Sequence, residues 1–205
     1  MTSPARRHLI VFARAPRYGA VKTRLAAEVG AGAAWRAYRA MTATTLKEVA
    51  ESPFWTTRLA VTPAAYATRT RFWPNTIPQV PQAGGDLGRS MAHALAAASR
   101  DGAAVLVGSD IPDIRAAHVR GALNMLRHCD LVFGPATDGG FWLVGVRHRA
   151  PAAVVRRLFD GVRWSSATAL ADTLRNLPRG WRVGYAATLS DIDTAADLAA
   201  WRDRA

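Results

Sequence analysis

Cysteine occurs once in the chain, at Cys129, so the chain can form no internal disulfide. A lone thiol fits a reducing compartment, and a cytoplasmic location is expected. Cys129 follows a helix-like segment and reads as a small core residue. Long apolar runs are also missing. None approaches the ~18 to 20 residues of a membrane span, and dense stretches such as 141–146 are strand-sized. The N-terminus, MTSPARRHLIVFARAP, starts basic but has only about six apolar residues before Arg14 and no small-residue cleavage site. It reads as a first core strand rather than a signal peptide, and no membrane partner is expected. Lysine is almost absent: Lys22 and Lys47 are the only two in a chain that otherwise uses arginine.

What is present is ordinary globular composition, with 205 residues, 50% of them hydrophobic and 20% charged. A chain of this size buries roughly 70% of its unfolded surface. The formal charge of +12 raises the question of a nucleic-acid partner. The cations are spread along the chain, however, and no motif of nucleic-acid spacing or aromatic–basic alternation accompanies them. A positive field suits a phosphorylated small molecule equally well, and nucleic acid is not the expected partner. No internal repeat or low-complexity linker interrupts the chain, and the proline-rich stretch 74–81 is a loop. Residues 1–205 are expected to form one domain.

Apolar strand-like runs lie at 8–13, 58–62, 77–81, 104–108, 131–134, 141–146 and 182–186. Helix-like runs fall between them at 33–51, 87–100, 116–128, 151–159, 166–177 and 195–204. Most of the strands are continuous Val/Ile/Leu/Phe runs, as expected when both faces are covered. The alternation predicts an α/β fold with a mostly parallel sheet and helices on both faces. Right-handed crossovers then gather the strand C-termini along one edge, where ligands bind. The segment PATDGG is too short for a crossover, so a hairpin or an irregular excursion breaks the parallel order there.

Four segments carry chemistry at that edge. ARAPRYGAVKTRL, residues 13–25, follows the first strand and opens a helix. Gly19 allows a tight turn, and Lys22 and Arg24 lie in or beside the first turn of a helix whose free N–H groups favour anions. Lysine supplies a point charge for phosphate and arginine a fork. The segment lacks the second glycine and the GK[ST] ending of a P-loop. In VLVGSDIPDI, residues 105–114, a strand runs straight into Ser109 and Asp110. Asp113 suits a helix cap, whereas Asp110 lies too early for one and is a candidate ligand for Mg²⁺ or Mn²⁺ bridging phosphate oxygens. GPATDGGFWLVG, residues 134–145, is a hairpin signal that also brings Asp138 to the edge as a candidate base. Gly139 and Gly140 would admit a substrate close to the backbone. In LSDIDTAADL, residues 189–198, Asp193 or Thr194 reads as an N-cap with Asp197 in the first turn. Asp191 and Asp193 together exceed that need and are candidate metal or substrate contacts.

Taken in order, FARAP…G…KTRL, QAGGDLG, GSDIP, GPATDGGFWLVG, LFDGVRWSS and DIDTAADL resemble a bacterial family of uncharacterised glycosyltransferase-like proteins of the DUF2064 type. Some members of that family are named for arsenosugar biosynthesis. The resemblance runs from Phe12 to Leu198. It implies a compact GT-A-like (Rossmann-like) three-layer sandwich of the nucleotide-diphospho-sugar transferase type. The chain is more distantly similar to 2-phospholactate guanylyltransferases, which share a KTRL-like start and a DIDT-like end. The resemblance implies nucleotide-phosphate binding at Lys22 and Arg24 and a metal at Asp110. Beside these, Arg14, Gly19, Asp86 and Ser109 are candidate nucleotide or phosphate contacts, Gly139, Gly140 and Trp164 candidate substrate contacts, and Asp191 and Asp193 further candidate metal ligands. The chain departs from the pattern after GDLG, where Arg89 and Ser90 stand in place of an acidic residue and arginine before Met91. Asp86 also reads as the N-cap of the helix that follows.

The function expected on this basis is metal-assisted transfer of a sugar from a nucleotide-diphosphate sugar to a small acceptor. Lys22, Arg24 and the metal would meet the charge growing on the diphosphate, and Asp138 would take the acceptor's proton. The alternative is nucleotidyl transfer from a nucleoside triphosphate to a phosphorylated small molecule. A third reading, prompted by the charge, is a non-catalytic nucleotide- or nucleic-acid-binding protein.

Overall fold

Leu9, Val11 and Ala13 are buried on one side of the first strand, and Ile10 and Phe12 are buried on the other. A strand that is apolar on both faces belongs at the centre of a covered sheet. A computed structural model of the chain, describing residues 6–67 and 72–204, puts it there. Residues 1–5, the start of the N-terminal run, lie outside the described residues.

The elements follow in the order β1 (Arg6–Arg14), α1 (Thr23–Val29), α2 (Ala31–Val49), β2 (Thr56–Thr62), a short 3₁₀ turn (Ala64–Tyr66), β3 (Gln79–Pro81), α3 (Leu87–Ala98), β4 (Gly102–Gly108), α4 (Ala116–Met125), β5 (Leu131–Pro135), β6 (Phe141–Val146), α5 (Ala152–Arg157), α6 (Ala169–Arg175), β7 (Val183–Tyr185) and α7 (Ala195–Arg202). One seven-stranded sheet runs in the order β3-β2-β1-β4-β6-β5-β7. β1 pairs in parallel with β2 and β4, and β5 with β7. β6 alone runs the other way, antiparallel to both β4 and β5. The PATDGG turn is therefore a hairpin, whose return strand is inserted between β4 and β5. The expected strand at 77–81 shortens to Gln79–Pro81 at the sheet edge, where a proline without an N–H is tolerated.

Two layers of helices cover the sheet. Leu46 and Val49 of α2 and Val119 and Leu123 of α4 pack on the Leu9–Val11 face. Met91 and Leu95 of α3 and Val155 of α5 pack on the Ile10–Phe12 face. A third cluster joins Leu25 of α1, Tyr38 and Met41 of α2, and Leu198 of α7. It ties the first helix to the last, and so ties the segment after β1 to the segment before α7. This is the expected α/β three-layer sandwich. Among the described residues no helix is long and apolar enough to cross a membrane. Cys129 is half-buried against the first core cluster.

Candidate active site

The site starts from a backbone turn. After β1 the chain turns through Gly19, at φ 73°, and Lys22, at φ 47°. The left-handed conformation of Lys22 begins α1 and leaves its long side chain directed inward. The side chain is 7% exposed, and its ammonium lies among three carboxylates. It stands 2.7 Å from Oδ2 of Asp110, 2.9 Å from Oδ1 of Asp193 and 3.7 Å from Oδ2 of Asp191. Arg24, exposed at the surface, pairs with the other oxygen of Asp193.

Capping explains why two acids of the DIDT segment are left over. Thr194 caps α7 by accepting from the Asp197 N–H, and Asp197 accepts from the N–H groups of Asp193 and Thr194. Asp193 is thereby spared for Lys22 and Arg24, and Asp191 for the interior of the site. Glu28 of α1 accepts the Ala195 N–H at 2.8 Å, which fixes the two helices against each other.

Asp110 is delivered by the end of β4, one strand away from β1. The residue before it, Ser109, is buried and lies 3.2 Å from the hydroxyl of Tyr38. That hydroxyl also donates to the Arg14 carbonyl at 2.8 Å and accepts the Arg14 N–H at 3.0 Å. Tyr38 thus fastens the end of β1 to the end of β4. Tyr38 sits at helical spacing among core residues in the sequence, and nothing in that pattern signals its role as a clamp.

The electrostatics follow from burial and crowding. For Lys22, burial pulls the pKa down, but the charges of Asp110 and Asp193 and their hydrogen bonds outweigh it. The ammonium is held well above its ordinary value of 10.5. Asp191 moves the other way. Burial, then the like charges of Asp193, Asp110 and Asp138, push it up to about 6 against the opposing pull of Lys22. Burial also raises the Tyr38 phenol, against a lowering by its bond to Ser109, so it remains a neutral donor.

Two clefts meet over Asp110. The larger, about 580 Å³, lies over the ends of β1 and β2 and is lined by Arg14, Lys22, Gln82, Asp86, Ser109 and Asp110. The smaller, about 230 Å³, is lined by Arg24, Asp110, Asp138, Gly140, Trp164 and Asp191. Asp138 is exposed; its Oδ1 accepts the Gly140 N–H at 2.9 Å, and among the described residues its other oxygen has no hydrogen-bond partner. Trp164 closes the smaller cleft from an aromatic cluster with Phe141 and Phe159. Gln82, after β3, opens the QAGGDLG motif, and nothing in that motif signals its role. Its amide donates to the Ala60 carbonyl at 2.9 Å and closes the floor of the larger cleft.

Three expected roles change. Asp86 is the N-cap of α3, accepting the Arg89 N–H at 2.7 Å, so its carboxylate is committed to the helix although it borders the larger cleft. Gly139, at φ 85°, leaves room for the chain itself: a Cβ there would overlap the Ala167 carbonyl. The close approach its missing side chain permits is internal. The third change concerns the metal. Asp110, Asp191 and Asp193 form an all-oxygen donor set, which suits a hard ion such as Mg²⁺ or Mn²⁺. In the structure Lys22 Nζ stands among them, and among the described residues no group of three metal-ligating side chains is placed to hold an ion. Lys22, expected on phosphate, is held by the expected metal ligands.

Comparison with known proteins shows the family and the fold. Residues 45–166 match the family model described as "Uncharacterized protein conserved in bacteria (DUF2064)". No curated protein matches the chain by sequence. Among solved structures, a candidate nucleotide-diphospho-sugar transferase from Desulfovibrio desulfuricans G20 is 32% identical, with a TM-score of 0.84. The match covers 94% of this chain and 84% of that one. Rv0371c from Mycobacterium tuberculosis H37Rv, in complex with manganese, shares the fold at 16% identity and a TM-score of 0.59, over 98% of this chain and 100% of that one. 4-diphosphocytidyl-2C-methyl-D-erythritol synthase from Anaerococcus prevotii DSM 20548 shares it at 12% identity and a TM-score of 0.65, over 97% and 96%.

Proposed function

The chain belongs to the bacterial DUF2064 family, and on that footing we propose that it is a transferase moving a sugar from a nucleotide-diphosphate sugar to a small acceptor. The observation that carries this reading is the meeting of two clefts at one charged junction. The larger has room for a nucleotide diphosphate and the smaller for the acceptor, and Asp110 borders both. The relative named as a candidate nucleotide-diphospho-sugar transferase supports the donor class.

In this reading the anomeric carbon lies over the junction, with the diphosphate on the Lys22 side. An acceptor hydroxyl in the smaller cleft attacks that carbon, and the bond from carbon to the diphosphate oxygen breaks. The unbonded oxygen of Asp138 takes the hydroxyl proton, and the nucleoside diphosphate leaves with the negative charge. Lys22 and Arg24 are the cations nearest to that charge, and both are fixed in place before it develops. Ser109 and the Tyr38 hydroxyl keep the Arg14 and Asp110 strands in register beneath the diphosphate. Asp110, which borders both clefts, would hold a divalent ion, which when bound supplies further neutralisation of the diphosphate. The Trp164 ring gives the acceptor an apolar wall.

The test is incubation with UDP-, GDP-, ADP- and dTDP-sugars and small acceptors, with Mg²⁺ or Mn²⁺, following nucleoside diphosphate release and a glycosylated product. Asp110→Asn and Asp138→Asn should each lower turnover by about 10²-fold or more, consistent with loss of an organising charge or a base. Release of pyrophosphate from a nucleoside triphosphate, with no sugar transfer, would replace this reading by nucleotidyl transfer.

A further inference from the structure

The Ile10–Phe12 face of the sheet is not filled out to its edge. Between α3 and the strands β1, β2 and β3 lies a cavity of about 190 Å³, behind the larger cleft. The space exists because α3 turns alanines toward it: Ala94, Ala97 and Ala98 line it where longer side chains would close it. Ile10, Ala60 and Val80, one from each strand, form the opposite wall. Arg58 and His93, both exposed, stand at the mouth. Among the described residues no acidic side chain lines the cavity, and no carboxylate pairs with Arg58. His8 also lines it. Only 5% exposed, it projects from β1 on the same face as Ile10. Its Nε2 stands 2.9 Å from Oδ1 of Asp101, and its Nδ1 has no hydrogen-bond partner among the described residues. A polar atom buried without a partner is costly, and a ligand that supplies the partner recovers that cost.

We propose that this cavity binds a small apolar molecule carrying one carboxyl group, of about the size of benzoate. A dry cavity of about 150 Å³ is enough for benzene, so the volume here admits a ring or a short branched chain. The alanine and valine walls take the apolar body out of water. The Arg58 guanidinium matches a carboxylate as a fork. A carboxyl group also meets His8 Nδ1 in either form, as an acid donating to it or as a carboxylate accepting from it. An inorganic phosphate has no apolar body and would leave the alanine wall bare. Phe12, Gln82, Ala83 and Ser90 line both this cavity and the larger cleft. The Ser90 hydroxyl donates to the Ala83 carbonyl at 2.7 Å, and the Gln82 amide to the Ala60 carbonyl at 2.9 Å. The shared wall is thus a hydrogen-bonded unit, and an occupant of the cavity is felt at Gln82, on the floor of the larger cleft.

The test is a titration of the full, ¹⁵N-labelled chain with sodium benzoate at constant ionic strength, followed by NMR, with 4-methylpentanoate as the aliphatic arm and benzamide as the uncharged one. The backbone signals of Ile10 and Ala94 and the side-chain amide of Gln82 should move together, with one dissociation constant. The titration runs to about 20 mM, where a ligand held at about 1 mM is nearly saturating. Benzamide should bind about tenfold more weakly or worse, for want of the charge that Arg58 meets. Two variants place the ligand. Ala94→Leu fills the cavity from the half-buried face of α3 and should abolish the shifts. Arg58→Met keeps an apolar stem but loses the fork, and should weaken benzoate about tenfold while leaving benzamide unchanged. Unmoved cavity signals with both carboxylates, or undiminished binding by Ala94→Leu, overturns the site. Equal binding of benzamide and benzoate overturns the carboxylate class. Cavity signals that move with protein concentration instead, with a matching rise in sedimenting mass, would give the face to a second copy of the chain and overturn the proposal as well. If Ala94→Leu fails to fold, the exposed Arg58 and the benzamide comparison decide.

Discussion

Oδ2 of Asp191 stands 3.7 Å from the Lys22 ammonium, whereas Oδ2 of Asp110 stands at 2.7 Å. The three acids do not share their cation equally. Asp191 is the least neutralised, and with its burial and its acidic neighbours its pKa rises to about 6.

That inequality predicts a pH dependence. The folded pKa of Asp191 lies above its ordinary value of 3.8, so the folded state binds a proton that the unfolded state has released. The stability this group contributes is fully present below about 3.8 and is lost as pH rises through about 6. Asp191→Asn should therefore be more stable than wild type at pH 8, by about 1–3 kcal/mol, and should lose that advantage towards pH 4. Urea unfolding in EDTA across this range checks it. An Asn variant less stable than wild type at pH 8 would show that Asp191 gains more from Lys22 than it loses by burial.

Arg24 is 69% exposed and touches Asp193 with its fork while Leu25, its neighbour, fills the core. Arg24→Ala should weaken nucleotide-diphosphate binding by about tenfold, the scale of one lost charge-assisted contact. Its melting temperature should stay within about 2 °C of wild type, as for most surface substitutions. Isothermal titration beside a thermal melt measures both, and a large drop in melting temperature with unchanged affinity would make Arg24 a structural residue.

Gly139→Ala meets two obstacles at once. The residue sits at φ 85°, and the new Cβ would overlap the Ala167 carbonyl. The Gly139 carbonyl meanwhile accepts the Leu170 N–H at 3.1 Å, so the hairpin tip cannot move away freely. A loss of about 2–4 kcal/mol in chemical denaturation is expected, from strain and overlap together. Gly140→Ala, in the ordinary region of φ, should cost clearly less.

Asp172 is buried and organises the segment that carries Trp164. Its oxygens accept from Nε and Nη2 of Arg163 at 2.9 Å each and from Nη1 of Arg175 at 2.7 Å. Hydrogen bonding from Arg163 holds the carboxyl well below the usual carboxylate range. Asp172→Asn should loosen the wall of the smaller cleft and leave the larger one intact. The expected signature is a raised KM for the acceptor with an unchanged Kd for the nucleotide, separable by steady-state kinetics and titration. Equal loss of both would place the damage in the sheet rather than the loop.

Much of this architecture was legible in the chain because burial writes itself into composition. The continuous apolar runs of β1, β4 and β6 have both faces covered, and the length of PATDGG alone required a hairpin or an excursion. Placing Asp110 and Asp138 at the ligand edge followed from each one's position directly after a strand. The boundaries of α1 and α2, separated by Gly30 at φ 81°, were less visible, since helical spacing continues on both sides.

The partners of those side chains were not legible. Lys22 and Asp193 lie 171 residues apart in sequence, and their contact depends on the third apolar cluster packing α1 against α7. Tyr38 has the spacing of a core residue, which it is; only the tertiary fold brings its hydroxyl to Arg14 and Ser109. Gly139 reads as a place for a substrate, and only the packed loop shows that Ala167 fills it. Residue types and strand ends fixed which groups reach the edge of the sheet, because local hydrophobic pattern decides what is buried. Which carboxylate answers which cation was decided by the packing of distant elements, because a charge brought out of water takes the nearest opposite charge that the fold supplies.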